Sequence, residues 1–163
     1  MRTKLTGVDA SMTEFEENLN LLLTDTYNNI TKVEEDMLRA SGIQTTISEI
    51  HLIDAIGRSL SPTVSNAAAH LSITLASVTV AVNKLMERGF LTKEKNPDDG
   101  RSVHLKLTQS GKRAFRLHRY FHRKMVQAIL HGLSESEAQA IYTGVNRLNE
   151  FFIKSAKQQE RLL

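Results

Sequence analysis

The sequence predicts a mainly α-helical fold that carries a small two-stranded β wing. Long amphipathic segments lie at both ends of the chain, and a short helix, a tight turn and a second helix lie between them. A turn-rich stretch with strand-like flanks follows at once. A helix-turn-helix followed by a hairpin is a winged helix-turn-helix, and flanking helices longer than this small core needs predict a symmetric dimer.

The first helix is predicted from about Thr13 to Arg39, because its apolar positions recur at spacings of three and four. That stripe consists of Phe15, Leu19, Leu22, Thr26, Ile30, Val33 and Met37. Ser41-Gly42 ends the helix. The second helix is predicted to begin at a capping box between Thr46 and Glu49 and to end at Gly57 or Ser59.

The predicted helix-turn-helix occupies the middle of the chain. Ser61-Pro62 opens a short helix that ends near Leu71, with serine as the cap and proline at the first helical position. Ser72-Ile73 forms the turn, and Thr74 caps the next helix, which runs from Leu75 to Arg88. Its helical spacing assigns Val78, Val82 and Leu85 to the core.

The predicted hairpin has strands at 90–94 and 102–107, joined by turn residues at 95–101. Thr108 caps a fifth helix, about Gln109–Leu130, and His131-Gly132 breaks it. A capping box between Ser134 and Glu137 begins a last helix that ends near Gln158. Its apolar stripe consists of Ile141, Tyr142, Val145, Leu148 and Phe152.

The amino-acid composition excludes several classes of site and favours nucleic-acid binding. The 163-residue chain has no cysteine, which excludes disulfides, zinc–thiolate sites and cysteine switches. It shows no apolar run typical of a membrane span or signal peptide, so a cytoplasmic protein without a membrane partner is expected. The isoelectric point of about 9.3 and the acid-free stretch 101–133 favour nucleic-acid binding. No nucleophile motif or phosphate-binding glycine loop supports an enzyme, and His51 and Asp54 are interpreted as a helical surface or core pair.

Three regions follow from this organisation. Residues 1–11 are interpreted as an N-terminal extension that is disordered or not native, since Met12 is a plausible start. Residues 12–45 and 109–163 form the predicted helical dimerisation region. Residues 46–108 form the predicted winged helix-turn-helix, which binds DNA.

Several segments resemble the MarR family of transcriptional regulators. They are 63–71, 73–74, 77–79, 85–91, Asp99-x-Arg101 and 105–111. Segments 49–57, 73–79 and 116–126 are similar, more narrowly, to the FabT-type repressors of fatty-acid synthesis genes, although that branch usually has glycine at the position of Ala76. The resemblance implies a homodimer that represses such genes from a pseudo-palindromic operator in double-stranded DNA. It also implies a long-chain acyl group on acyl carrier protein as co-repressor.

Small or apolar residues at the start of the fourth helix suit a major groove, and an arginine held by an aspartate suits a minor groove. Arg101 is expected to enter the minor groove, with Asp99 orienting it. The predicted DNA-binding residues are Ser65, Asn66, Thr74, Leu75, Ala76, Ser77, Thr79, Val80, Asn83, Lys84, Asp99 and Arg101. Thr92 and Lys106 are further candidates for phosphate contacts.

An acyl effector needs an apolar channel, and an acidic carrier protein needs a basic surface. The acyl-ligand candidates are Leu19, Leu22, Ile30, Val33, His118, Phe121, His122, Met125 and Ile129. The carrier-protein candidates are Arg113, Arg116, Arg119, Arg123 and Lys124.

A regulator of the same fold that responds to a phenolic ligand or to zinc remains the alternative. His118 and His122 are four residues apart and share a helix face, so they could bind zinc. No acid lies on their helix, and a tetrahedral site would need two ligands from elsewhere. The sequence therefore predicts no metal site, no catalytic residue and no cofactor.

Overall fold

The computed structural model describes residues 12–95 and 103–160, and this part of the chain contains six helices and one two-stranded sheet. In chain order the elements are α1 (Glu14–Ala40), α2 (Ile47–Arg58), α3 (Val64–Leu71), α4 (Leu75–Glu87), β1 (Leu91–Lys95), β2 (Val103–Leu107), α5 (Gln109–Leu130) and α6 (Glu135–Glu160). The order confirms the predicted helical fold with a β wing. The predicted extension at 1–11 and the wing tip, with Asp99 and Arg101, lie outside the described residues.

The chain divides after Arg119 into two compact units, Met1–Arg119 and Tyr120–Leu163. The first unit contains α1 to α4, the sheet and the first half of α5, and the second contains the rest of α5 and α6. The division into a dimerisation region and a winged region stays a prediction.

Local capping sets where the helices begin, as the sequence indicates. Glu49 Oε2 accepts from the backbone N–H of Thr46 at 2.9 Å, and the Thr46 hydroxyl accepts from the N–H of Glu49 at 3.3 Å. Ser134 and Glu137 make the same reciprocal pair at the start of α6, with distances of 2.8 and 3.3 Å. Each box satisfies N–H groups that the first helical turn leaves without partners.

The start of α3 corrects one prediction. Thr63, rather than Ser61, is the N-cap, and its hydroxyl accepts from the N–H of Asn66 at 3.1 Å. Pro62 therefore precedes the helix instead of opening it. The reason is a bond that is distant in sequence: the Pro62 carbonyl accepts from the N–H of Leu105 at 2.6 Å, so Ser61-Pro62 is held against β2.

One apolar core in the first unit supports the helix-turn-helix. β1 and β2 pair antiparallel with Leu91 opposite Leu107, and the side chains of Leu91 and Leu105 face inward. The core consists of Leu38, Ile43, Ile50, Leu52, Ile53, Ile56, Ala67, Ala68, Val78, Val82, Leu85, Leu91, Leu105 and Ala114. The predicted burial of Val78, Val82 and Leu85 is confirmed, so the opposite face of α4 is left outward.

No single helix in the described part of the chain is long and apolar enough to cross a membrane. By length and composition alone, α3 and α4 meet that test only as a pair bent by 116°.

The base of the wing is joined tightly to the start of α5. Thr108 donates its N–H to the Phe90 carbonyl at 3.1 Å and its hydroxyl to the Gly89 carbonyl at 2.6 Å. The same hydroxyl accepts from the N–H of Gly111 at 3.1 Å. A Cβ added at Gly111 would overlap the carbonyl oxygen of Phe90, which explains why glycine is needed there.

We expect Gly111→Ala to lower the free energy of unfolding by about 1–3 kcal/mol, because backbone has to move to admit the methyl group. Urea denaturation at fixed protein concentration measures the change. Gly144→Ala is the matched control, since nothing in the described structure lies within 4 Å of its added Cβ. Equal stability of the Gly111→Ala protein and the wild type would contradict the assigned close contact.

Candidate nucleic-acid interface and effector region

The N-terminal half of α4 presents an exposed face of small and apolar side chains. The Thr74 hydroxyl caps the helix by accepting from the N–H of Ser77 at 3.1 Å. The predicted DNA-binding residues at and after the start of α4 are all exposed: Thr74, Leu75, Ala76, Ser77, Thr79, Val80, Asn83 and Lys84. Leu75 and Val80 are 54% and 55% exposed, so neither is used by the core.

The small and apolar side chains of this face suit contact with the major groove of DNA. Small side chains let a helix approach base edges, and apolar groups can contact thymine methyl groups. The Thr79 hydroxyl donates to the Leu75 carbonyl at 2.8 Å, so its methyl group remains as a contact surface. Asn83 and Lys84, about one turn beyond Thr79 and Val80, expose an amide and a cation, and their contact with a base or phosphate stays a prediction.

Some of the residues predicted to contact phosphates already use their side chains in hydrogen bonds or ion pairs within the protein. Ser65 and Asn66 are exposed near the start of α3, but the Asn66 amide already donates to the Ser61 carbonyl at 2.8 Å. The Lys106 ammonium donates to both carboxylate oxygens of Glu94, at 2.9 and 3.0 Å. Lys106 would therefore have to exchange Glu94 for a phosphate. The exposed Thr92 hydroxyl lies 3.5 Å from the Lys106 carbonyl.

A buried ion cluster joins α1, α2 and α5 within the first unit. His118 Nε2 lies 2.9 Å from Glu34 Oε1, and His118 Nδ1 lies 3.4 Å from Asp54 Oδ1. Arg58 Nε pairs with Asp54 Oδ2 at 2.7 Å, and His51 Nε2 lies 3.7 Å from Glu34 Oε2. The side chains of Glu34 and His118 are nearly fully buried, so this pairing is screened little by water.

The cluster fixes the charges of its members. Burial alone would lower the pKa of His118, but hydrogen bonds and attraction from Asp54 and Glu34 raise it to about 9. Burial opposes ionisation of Glu34, yet His118 and His51 lower its pKa to about 2. The pKa of Asp54 is likewise lowered, against burial, by His118 and Arg58. At neutral pH an imidazolium therefore lies between two carboxylates.

Sequence reasoning missed this cluster. It named His118 as an acyl-ligand candidate, whereas in the structure both ring nitrogens of His118 face carboxylates. It also interpreted His51 and Asp54 only as a surface or core pair. The available signal was helical spacing: Glu34 lies four residues before the buried Leu38, and His118 lies four after the buried Ala114. Both polar residues are thus on inward faces.

The remaining effector candidates are described unit by unit. On α1, Leu19, Leu22 and Val33 are exposed and Ile30 is half-buried. In the second unit, Phe121, His122 and Met125 are half-buried and Ile129 is exposed. Their role in binding an acyl chain stays a prediction.

All five predicted carrier-protein contacts on α5 are exposed: Arg113, Arg116, Arg119, Arg123 and Lys124. Arg113 donates to the Ser41 carbonyl at 3.0 Å, and Arg119 lies 5.7 Å from the centre of the Phe115 ring. These contacts hold the side chains while their charge still faces solvent.

We expect the free energy of unfolding to fall by about 1–3 kcal/mol between pH 6.5 and 9. Folded His118 keeps its proton to about pH 9, whereas the unfolded chain loses it near 6.5. Its contribution is therefore complete below pH 6.5 and is lost as the pH rises to 9. Urea unfolding across this range, with EDTA present, measures the slope.

Glu34→Gln removes the closer partner of His118 and should flatten that pH dependence, while His70→Gln, on the exposed side of α3, should keep it. A Glu34→Gln protein with the wild-type slope would contradict the assigned ion pair.

Comparison with known proteins identifies the family. The MarR family model matches residues 41–102. The crystal structure of Streptococcus pneumoniae FabT in complex with DNA is 36% identical, with a TM-score of 0.77, over 85% of this chain and 97% of that one. PchR of Bacillus subtilis, an HTH-type transcriptional regulator, is 30% identical over 118 residues, covering 71% of this chain and 68% of that protein.

YhjH of Bacillus subtilis, an uncharacterised HTH-type transcriptional regulator, is 33% identical over 95 residues, or 58% of this chain. That match spans about half, 54%, of the relative's length. The winged fold, the exposed face of α4 and these similarities all indicate the same family. The chain belongs to the MarR family of DNA-binding transcription regulators, which are not enzymes.

Proposed function

We propose that this protein represses fatty-acid synthesis genes by binding their operators as a homodimer, with long-chain acyl–acyl carrier protein as co-repressor. The observation that carries the proposal is the 36% identity to DNA-bound FabT over nearly all of that chain. The exposed face of α4 supports the DNA-binding part, because its core-facing positions are filled and its outward positions are small or apolar.

Exposed apolar residues on both terminal helices support the homodimer. On α1, Phe15 and Leu22 are exposed, and on α6, Tyr142, Val145 and Phe152 are exposed. Rows of large apolar side chains on a water-soluble chain typically mark an interface. A twofold dimer presents two copies of α4, and the operator is then pseudo-palindromic, with half-site centres about 34–36 Å apart.

Apolar and basic side chains on the same chain support an acyl-carrier effector. The apolar candidates on α1 and α5 offer surface for a hydrocarbon chain, and each buried methylene contributes about 0.8 kcal/mol. The exposed cations of α5, in a stretch without an acid, complement an acidic carrier protein. An effector tightens DNA binding only by preferring the DNA-competent state, with a coupling of about 1–3 kcal/mol.

We expect Arg101→Ala to weaken operator binding by about 1–3 kcal/mol and to leave the dimer intact, because the wing arginine is assigned to the minor groove. Mobility shift on the DNA upstream of the protein's own gene measures affinity, and sedimentation measures the dimer. Arg39→Ala is the matched control, since Arg39 is an exposed arginine on α1 that pairs with Asp36. Unchanged affinity in a dimeric Arg101→Ala protein would remove the minor-groove role.

We also expect carrier protein loaded with a long acyl chain to tighten operator binding, and unloaded carrier to have no effect. Short, medium and long acyl loads should act in increasing order, because longer chains bury more apolar surface. Titration of operator affinity with each load tests this order. Equal operator affinity under all loads, including none, would rule out the co-repressor and leave the DNA-binding regulator.

Arg116→Glu should reduce the effect of the loaded carrier, because it reverses one charge in the basic stretch of α5. Arg39→Glu makes the same charge change on α1 and should preserve that effect. If both variants respond like the wild type, the basic surface of α5 is not where the carrier binds.

A further inference from the structure

Three helices of the first unit bring an oxygen and two nitrogen donors together. Glu34 comes from α1, His51 from α2 and His118 from α5, and one ligand atom of each lies within 4.8 Å of the others. They are separated by many residues in the sequence, so the fold, rather than a local motif, places them together.

The orientation of the two rings is the second observation. His118 Nε2 faces one Glu34 oxygen at 2.9 Å, and His51 Nε2 faces the other at 3.7 Å. Donors bound to one tetrahedral zinc ion at bond lengths of about 2.0–2.1 Å lie about 3.3 Å apart. The ligand atoms of the three residues lie within 4.8 Å of one another, so side-chain movement that shortens the longest separation by about 1.5 Å would place them around one ion.

Asp54 supplies a carboxylate beside the second ring nitrogen of His118, an arrangement that is common for histidines that bind metal ions. Its Oδ1 lies 3.4 Å from His118 Nδ1, the ring nitrogen that faces away from Glu34. A carboxylate on one imidazole nitrogen fixes the ring so that the other nitrogen is directed at a metal ion. Arg58 in turn holds Asp54 through its second oxygen, at 2.7 Å.

The donor chemistry selects the class of ion. Two imidazoles and a carboxylate suit zinc and related divalent transition metals, whereas magnesium and calcium prefer oxygen donors throughout. His51 is 45% exposed while Glu34 and His118 are buried, so an ion can enter from the His51 side. Zinc binding displaces the proton that His118 carries at neutral pH, because a metal-bound imidazole is neutral.

We propose that Glu34, His51 and His118 form a binding site for a divalent transition-metal ion, with zinc as the best match. The sequence predicts no metal site because α5 contains no acid, but the further ligands come from α1 and α2. This inference concerns ion binding alone and goes beyond the proposed regulation of fatty-acid genes.

The test is zinc binding by the full-length protein without DNA, measured in competition with a chromogenic zinc chelator. The wild type should bind one zinc ion per chain at this site. Glu34→Gln keeps the shape of the side chain, and His51→Gln changes a partly exposed one. Each should weaken zinc binding by about tenfold or more, because each removes a ligand. Circular dichroism confirms that the variants fold.

His70→Gln is the matched control, since His70 is an exposed histidine on α3 and should not affect zinc binding. Wild-type zinc affinity in both Glu34→Gln and His51→Gln, or an equal loss in His70→Gln, would overturn the site. Operator binding measured separately in EDTA tests the proposed function, so failure of one proposal is distinguishable from failure of the other.

Discussion

The buried pairing of His118 with Glu34 and Asp54 is the interaction on which the arrangement of the first unit depends. It joins α1, which carries exposed apolar side chains, to α2, which packs against the helix-turn-helix. Buried charges are tolerated only when they are paired, and removal of one partner from such a cluster typically costs about 3–5 kcal/mol. The same contacts therefore connect α1 to α2, and through α2 to α4.

Local signals made most of the fold predictable. Capping boxes at Thr46 and Ser134 fix helix starts by bonds that span three residues, so the sequence contains all the information they need. The start of α3 could not be predicted in this way. A serine–proline pair favours a helix start, but the Pro62 carbonyl bonds to Leu105, which lies more than forty residues later.

In the candidate site, too, features set by local sequence were predictable, and features set by contacts between distant residues were not. Exposure of the α4 face followed from helical periodicity, because the buried positions of Val78, Val82 and Leu85 assign the opposite face outward. The ion cluster did not follow, since Glu34 and His118 are distant in sequence and no local spacing pairs them. Inward-facing polar residues on two amphipathic helices are informative only when they are considered together. Arg101 and Asp99 lie outside the described residues and stay predictions.

The hydrogen bond from the Leu105 N–H to the Pro62 carbonyl limits how the edge of β2 can pair with a strand of another molecule. A two-stranded sheet has open edges, and an open edge can pair with a strand of another molecule. At Pro62 the β2 edge meets a residue that accepts one hydrogen bond but has no N–H to donate in return. The pairing therefore covers the edge at Leu105 and cannot continue as a ladder through Pro62.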